Sequence, residues 1–232
     1  LVNIVTSLGA VLLPRTSYYV EMKMEREFCT VSGKALEFVA VLSIPLTVSF
    51  TIMAKQCILL LSGNAYLPSV IPMCIIMPTL ILIGASNVFG VQMLVPLGKE
   101  TIVLYSECAG AVADIILNAV FIPRYGASGA AFGTLVAEAV VLVVQAAALK
   151  NMAWEIIKKV EVWKILPAAA LSGAAMVFIK NKVNMPVFPV LVICFSVFFS
   201  IYGILLLGMK ERILMELLRT AAKRLKQKER EE

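Results

Sequence analysis

The chain has 232 residues, of which 60% are hydrophobic and 16% charged, with a mean hydropathy of +0.92 and a formal charge of +6. Soluble domains run at roughly 45–50% apolar and about 25% charged residues, so this composition excludes an ordinary soluble fold and defines an all-α integral membrane protein, a polytopic helical bundle. Histidine is absent, which removes His-based triads and His metal sites together.

Leu1 to Leu13 reads as the end of a helix, stopped at Pro14-Arg15. Tyr18 and Tyr19 follow, where aromatic residues commonly sit at headgroup level. Because the chain begins within an apolar run, without Met, it reads as the C-terminal part of a longer protein. Met22 to Lys34 reads as a charged connector. A second helix is expected from Ala35 to about Leu61, kinked at Pro45, with Lys55 late in the span. A third segment, Tyr66 to Pro96, would be about 46 Å long as a straight helix, against a hydrocarbon core of about 30 Å. With Pro68, Pro72, Pro78, Gly84 and Gly90 inside it, it must tilt, kink or lie partly in the interface.

Next comes a membrane hairpin. Thr101 to Ile122 is an apolar run that carries Glu107, Asp114 and Asn118. Pro123-Arg124-Tyr125-Gly126 turns it, and Ala127 to Leu149 returns with Glu138 and Gln145. Lys150 to Lys164 is a polar connector whose Trp154 and Trp163 suit interface anchoring. Helices centred on Ile165–Ile179 and Val187–Leu207 complete a bundle over residues 1–209, made of a partial first helix and six complete ones. Residues 210–232 read as a basic amphipathic tail on the anionic cytoplasmic leaflet. Alternate connections hold seventeen and four of the lysines and arginines. By the positive-inside rule the richer set, with the C-terminus, is cytoplasmic.

Glu107, Gly110, Asp114 and Asn118 share one face of the fourth helix. Asp114 and Glu138 fall within about a turn of each other in depth. Acids at mid-membrane cost roughly 2.5–3.5 kcal/mol on insertion scales, so they usually face protein or water and carry a role. Converging acids would be proton-carrier candidates. The plainer alternatives are that Glu107 reaches the interface, Asp114 bonds Asn118, and Glu138 joins a structural network. Asn87, Gln92 and Gln145 read first as interhelical hydrogen-bonding groups. Lys55 reads as a snorkelling lysine, with a ligand contact as the sharper option. Gly126, Gly129, Ala130, Gly133 and Ala137 form a small-residue stripe for close helix packing.

The five cysteines lack metal-ligand spacing, and no P-loop is present. No catalytic residue, metal site or cofactor is read. A coupling ion, proton or sodium, is left open. With no connection long enough for a soluble catalytic domain, movement of a substrate across the membrane is the expected role, with no enzymatic activity and no nucleic-acid partner.

Four stretches carry a resemblance, three of them short. These are Leu12-Leu13-Pro14-Arg15-Thr16-Ser17; Leu61-Ser62-Gly63-Asn64-Ala65-Tyr66 with Pro68; and Leu94-Val95-Pro96-Leu97-Gly98-Lys99-Glu100. The fourth runs from Asn118 through Ile122-Pro123-Arg124-Tyr125-Gly126-Ala127-Ser128-Gly129-Ala130 to Gly133-Thr134, followed by Glu138, and its part from Ile122 to Glu138 is the most specific match. In this order they resemble the polysaccharide-transporter (Wzx-like) branch of the flippase superfamily that includes multidrug and toxin extrusion proteins. Residues 150–232 match only in hydropathy. The resemblance implies that the chain is the second lobe of such a flippase and that its first half lies upstream. It also implies alternating access, a polyprenyl-diphosphate-linked oligosaccharide as cargo, and the bacterial plasma membrane. Asn is common in that family where this chain has Asp114, so an acid there points to its own coupling or cargo.

Rival expectations are a proton- or sodium-coupled drug exporter of the same superfamily and a lipid II-type or sporulation-related flippase. A polytopic transferase would need catalytic loops, and a structural scaffold would not need mid-depth acids. The diphosphate calls for basic groups, yet Lys55 is the only one within a span.

Overall fold

The computed structural model describes residues 1–183 and 185–216, apart from the side chains of residues 8–11. Those residues are helical throughout, apart from turns, with no strand among them. In hydrocarbon no water is available to satisfy a free backbone N–H or C=O, so a spanning segment must bond to itself.

Helix α1 covers Val2–Glu21 and runs through Pro14, which corrects the expected stop there. Beyond the proline, the Thr16 hydroxyl donates to the carbonyls of Leu13 (2.9 Å) and Leu12 (3.3 Å). Continuing the helix keeps every later N–H paired, which outweighs the one bond that Pro14 loses. The expected connector is likewise helical. After a turn at Met22–Met24, α2 runs from Glu25 to Ile52, starting ten residues before the expected Ala35. Its first turns are amphipathic: Phe28, Ser32, Gly33, Ala35 and Leu36 are buried, while Glu25, Arg26 and Glu27 are exposed.

Pro45 lies inside α2 without ending it. The break comes instead at Met53, after which α3 (Ala54–Leu61) continues to the turn at Ser62–Gly63. The third segment is bent, as expected. A 3-10 turn (Asn64–Ser69) leads into α4 (Val70–Ile76), and α5 (Thr79–Asn87) continues as a π-helical turn at Val88–Leu94. The two halves meet at 42°. Pro78, which has no N–H to donate, stands at that bend.

Helix α6 (Glu100–Tyr125) and α7 (Ala127–Leu149) form the hairpin. The turn is tighter than the expected four residues, because α6 continues through Pro123 and Gly126 alone reverses the chain. Its φ of 54° is a conformation that glycine adopts without a Cβ clash. The polar connector is mostly a short helix, α8 (Asn151–Lys159), with Ala153 and Ile156 buried against α2. Trp154 and Trp163 remain exposed, as interface anchors would. Helices α9 (Val162–Lys182) and α10 (Val187–Gly208) follow close to their expected bounds.

Among the described residues five helices are long and apolar enough to cross a membrane: α2, α6, α7, α9 and α10. The bent pair makes a sixth if it counts as one span. Helix α2 is central. Its first half shares a core with α1, α5, the π turn, α7 and α8, built around Phe28, Leu36, Val39, Met93 and Ile156. Its second half shares another with α9 and α10, built around Met53, Ile165, Met176, Cys194 and Phe198. The outward faces are apolar too: Leu104, Ile115, Val143, Leu171, Phe178, Phe188 and Ile204 are all exposed. Contiguous exposed apolar surface on this scale marks a surface made for another apolar phase, here lipid. The fold is that of a polytopic membrane bundle.

Side-chain contacts separate the helix ends into two groups. At one end the Lys34 ammonium lies 2.7 Å from the Glu216 carboxylate, and Lys164 donates to the carbonyl of Lys210. At the other, Lys180 near the end of α9 donates to the carbonyl of Ile52 at the end of α2, at 2.7 Å. The first end carries the basic-rich connections. Of the amphipathic tail, residues 211–216 dock on the bundle, with Glu211 and Ile213 buried. The remainder, residues 217–232, lies outside the described residues.

Candidate functional site: a polar cavity at the π turn

Hydrogen bonding in the π turn skips to the fifth residue, the Val95 N–H reaching the Gly90 carbonyl, and the turn that follows repeats the spacing from Lys99 to Leu94. Such turns occur often at functional sites, because widening the helix opens its backbone to a neighbour. Here the neighbour is Gln145. A Cβ on Gly90 would lie 3.0 Å from the Gln145 Nε2, so the missing side chain is what admits the amide. Gln145 is buried and donates to the Ser106 hydroxyl at 3.0 Å, while its own Oε1 has no partner.

Beside this contact lies a cavity of about 210 Å³. Helix α5 and the π turn supply Ser86, Asn87, Gly90 and Val91. Helix α6 supplies Val103 and Glu107, and α7 supplies Glu138 and Gln145. Two carboxylates and two amides therefore face one space between helices that are otherwise apolar. The charges acting on Glu138 are those of Glu107 and Asp114.

The hairpin register explains the grouping. Close contacts pair Gly129 with Phe121, Gly133 with Asn118, Gly110 with Val141 and Ser106 with Gln145. In this antiparallel register Glu138 comes level with Asp114 and about a turn and a half above Glu107. The small-residue stripe makes the approach close. A Cβ on Gly129 would stand 2.5 Å from the carbonyl oxygen of Phe121, backbone against backbone.

Of the expected site residues, Glu107, Glu138 and Asn87 meet at the cavity, joined by Gln145. Asp114 and Asn118 do not line it; they bond each other, Asn118 Nδ2 donating to Asp114 Oδ2 at 3.0 Å, beneath Gly133. Each keeps a buried oxygen without a partner. Gln92 is buried with its Oε1 unpartnered, away from the cavity. Lys55 is exposed on α3, as a snorkelling lysine would be.

Sequence reasoning missed two features. One is a cleft of about 660 Å³ between α1, the start of α2 and residues 211–216. Arg15, Arg26 and Lys34 line it with Glu27 and Glu216, beside the apolar Leu12, Val31, Phe38 and Ile213. Arg26 and Lys34 lie on the stretch that reads as a connector and Arg15 at the expected stop of the first helix, so nothing in the sequence placed them in a cleft. The other is Glu37, buried in α2 and meeting Glu161 and Glu211. An acid inside an apolar run was a signal that could have been followed. No family model, curated protein or solved structure matches the chain.

Proposed function

We propose that the chain is the second lobe of a flippase that moves a polyprenyl-diphosphate-linked oligosaccharide across the bacterial plasma membrane by alternating access. The observation that carries this reading is the polar cavity of Glu107, Glu138, Asn87 and Gln145 at the π turn, inside helices whose outer faces are apolar. A transported glycan needs hydrogen-bonding groups in the span, while its lipid tail needs an apolar path at the side. Hydroxyl-rich cargo is held well by carboxylates and amides, which accept and donate from several directions.

The cleft of Arg15, Arg26 and Lys34 supplies what the spans lack. Arginine pairs with phosphate oxygens through two parallel N–H donors, and the apolar wall beside it would take the first isoprenes. In this reading the cleft faces the cytoplasm, where the basic-rich connections gather, and receives the diphosphate before the sugar enters the bundle. The sequence resemblance and the positive-inside pattern point the same way.

A coupled drug exporter of the same superfamily is the second reading, favoured by the neighbouring charges of Glu107, Glu138 and Asp114. One experiment separates the two. In native cells, the natural protein is replaced by Glu107→Gln and Glu138→Gln variants at matched membrane levels. Lipid-linked oligosaccharide on the inner leaflet and tolerance to cationic drugs are then scored together. Accumulated glycolipid with unchanged tolerance is the expected result. Normal glycolipid handling with lost tolerance would sink the flippase reading in favour of the exporter.

A further inference from the structure

Away from the cavity, three carboxylates converge where the start of α9, the C-terminal end of α10 and α2 come together. Glu37 projects from α2, Glu161 immediately precedes α9, and Glu211 opens the segment after α10. One oxygen from each lies within 4.8 Å of the others. Glu211 is fully buried and Glu37 is 2% exposed.

Most of the oxygens are accounted for. Glu211 accepts the N–H groups of Ile213 (3.0 Å) and Leu214 (2.7 Å), which caps the segment it begins. Glu161 Oε2 holds the Lys164 ammonium at 2.6 Å. Glu37 takes a backbone hydrogen bond from Glu161. Its Oε1, however, is buried and has no partner. Among the described residues the cations beside the cluster are Lys164 and the exposed Arg212. Three carboxylates against two bases leave a negative charge in excess, and a buried carboxylate oxygen without a donor is costly unless something neutralises it.

We propose that Glu37, Glu161 and Glu211 bind a hard metal cation, which fastens residues 211–216 to the bundle. The donors are all oxygen, the set that sodium, magnesium and calcium take and that softer metals do not prefer. Because the three oxygens all lie within 4.8 Å of one another, a point no more than about 2.8 Å from each exists between them, which brings the 2.3–2.6 Å of calcium–oxygen bonds within reach. The orphaned Glu37 oxygen becomes a ligand, while the capping bonds of Glu211 and the Lys164 pair keep the other carboxylates oriented. The three ligands are far apart in sequence, so the ion would tie the chain's last described segment to its central helix.

The test uses the full chain in nanodiscs, freed of metal by chelation, with Trp154 and Trp163 fluorescence reporting thermal unfolding. Calcium, magnesium and sodium chlorides are titrated against choline chloride at constant ionic strength. The expected result is a Tm that rises and saturates with at least one ion, with the midpoint weakened about tenfold or more by Glu37→Gln. Should Glu37→Gln not fold, Glu161→Gln must produce the weakening, since Glu161 is less buried. The proposal is overturned if no ion raises Tm, or if both variants keep the wild-type midpoint. It is also overturned if ion-free protein loses stability as pH rises while no ion acts, which would assign the excess charge to a shared proton.

Discussion

The hydroxyl of Tyr202 on α10 donates to the carbonyl of Val41 on α2, 2.9 Å away. That carbonyl is the one Pro45 leaves without its helical donor, because proline four residues on has no N–H. A side chain from another helix thus repairs the defect, and α2 passes through Pro45 unbroken. Tyr202→Phe removes the repair and leaves a buried carbonyl unpaired, at an expected cost of about 1–2 kcal/mol. Pro45→Ala restores the backbone donor, so the same substitution in that background should cost less than half as much. A double-mutant cycle of unfolding in detergent measures the difference. Equal costs in both backgrounds would falsify the pairing of the two defects.

Close packing of the hairpin rests on backbone contact at Gly129 and on side-chain contact at Gly133. Gly129→Ala drives a methyl into the Phe121 peptide group, whose position the helix fixes, and should cost about 2 kcal/mol or more. Gly133→Ala meets the carboxamide of Asn118 and the carboxylate of Asp114, which can rotate, and should cost less. Gly203→Ala in α10 has open space around it and should be neutral or mildly stabilising, given the higher helix propensity of alanine. Thermal unfolding of the three variants ranks them; Gly129→Ala at or above wild-type stability would refute the contact.

Lys180 closes the far end of α2 by donating to the Ile52 carbonyl at 2.7 Å. The contact places a positive charge at a helix C-terminus, where the unpaired carbonyls and the helix dipole favour it. Lys180→Met keeps the length of the side chain and loses the charge, with an expected loss of about 1–2 kcal/mol. Lys180→Arg should recover at least half of it. A methionine variant as stable as wild type would show the bond to be incidental.

Orientation is tested by labelling. With native cysteines blocked, a cysteine at Arg124 should react with a membrane-impermeant maleimide in intact cells. One at Lys23 should react only after permeabilisation. The reverse pattern would invert the proposed topology and place the Arg15, Arg26 and Lys34 cleft outside.

Local sequence accounts for the membrane class, for five spanning helices with a sixth if the bent pair counts as one, for the bend in the third segment and for the close α6–α7 hairpin, though the second span starts at Glu25 rather than Ala35. These follow from local quantities: apolar run length sets a span, Pro78 sets a bend, and the glycine spacing sets how near two adjacent helices approach. The grouping of Lys34 with Glu216 and of Lys180 with Ile52 follows the alternation already visible in the charged connections. Tertiary packing set the passage of the helix through Pro14 and the largely helical state of the stretch from Met22 to Lys34. The helical choice depends on partners, since Gly33 and Phe28 are buried by packing that includes α8, over a hundred residues away. It decided likewise that Glu138 shares a cavity with Glu107 and Asn87 while Asp114 bonds Asn118, because helix rotation is set by all the neighbours of a helix at once. Glu37, Glu161 and Glu211 meet for the same reason. Spacing along one helix fixes which residues share a face, but the packing of all the neighbours of that helix fixes what the face meets.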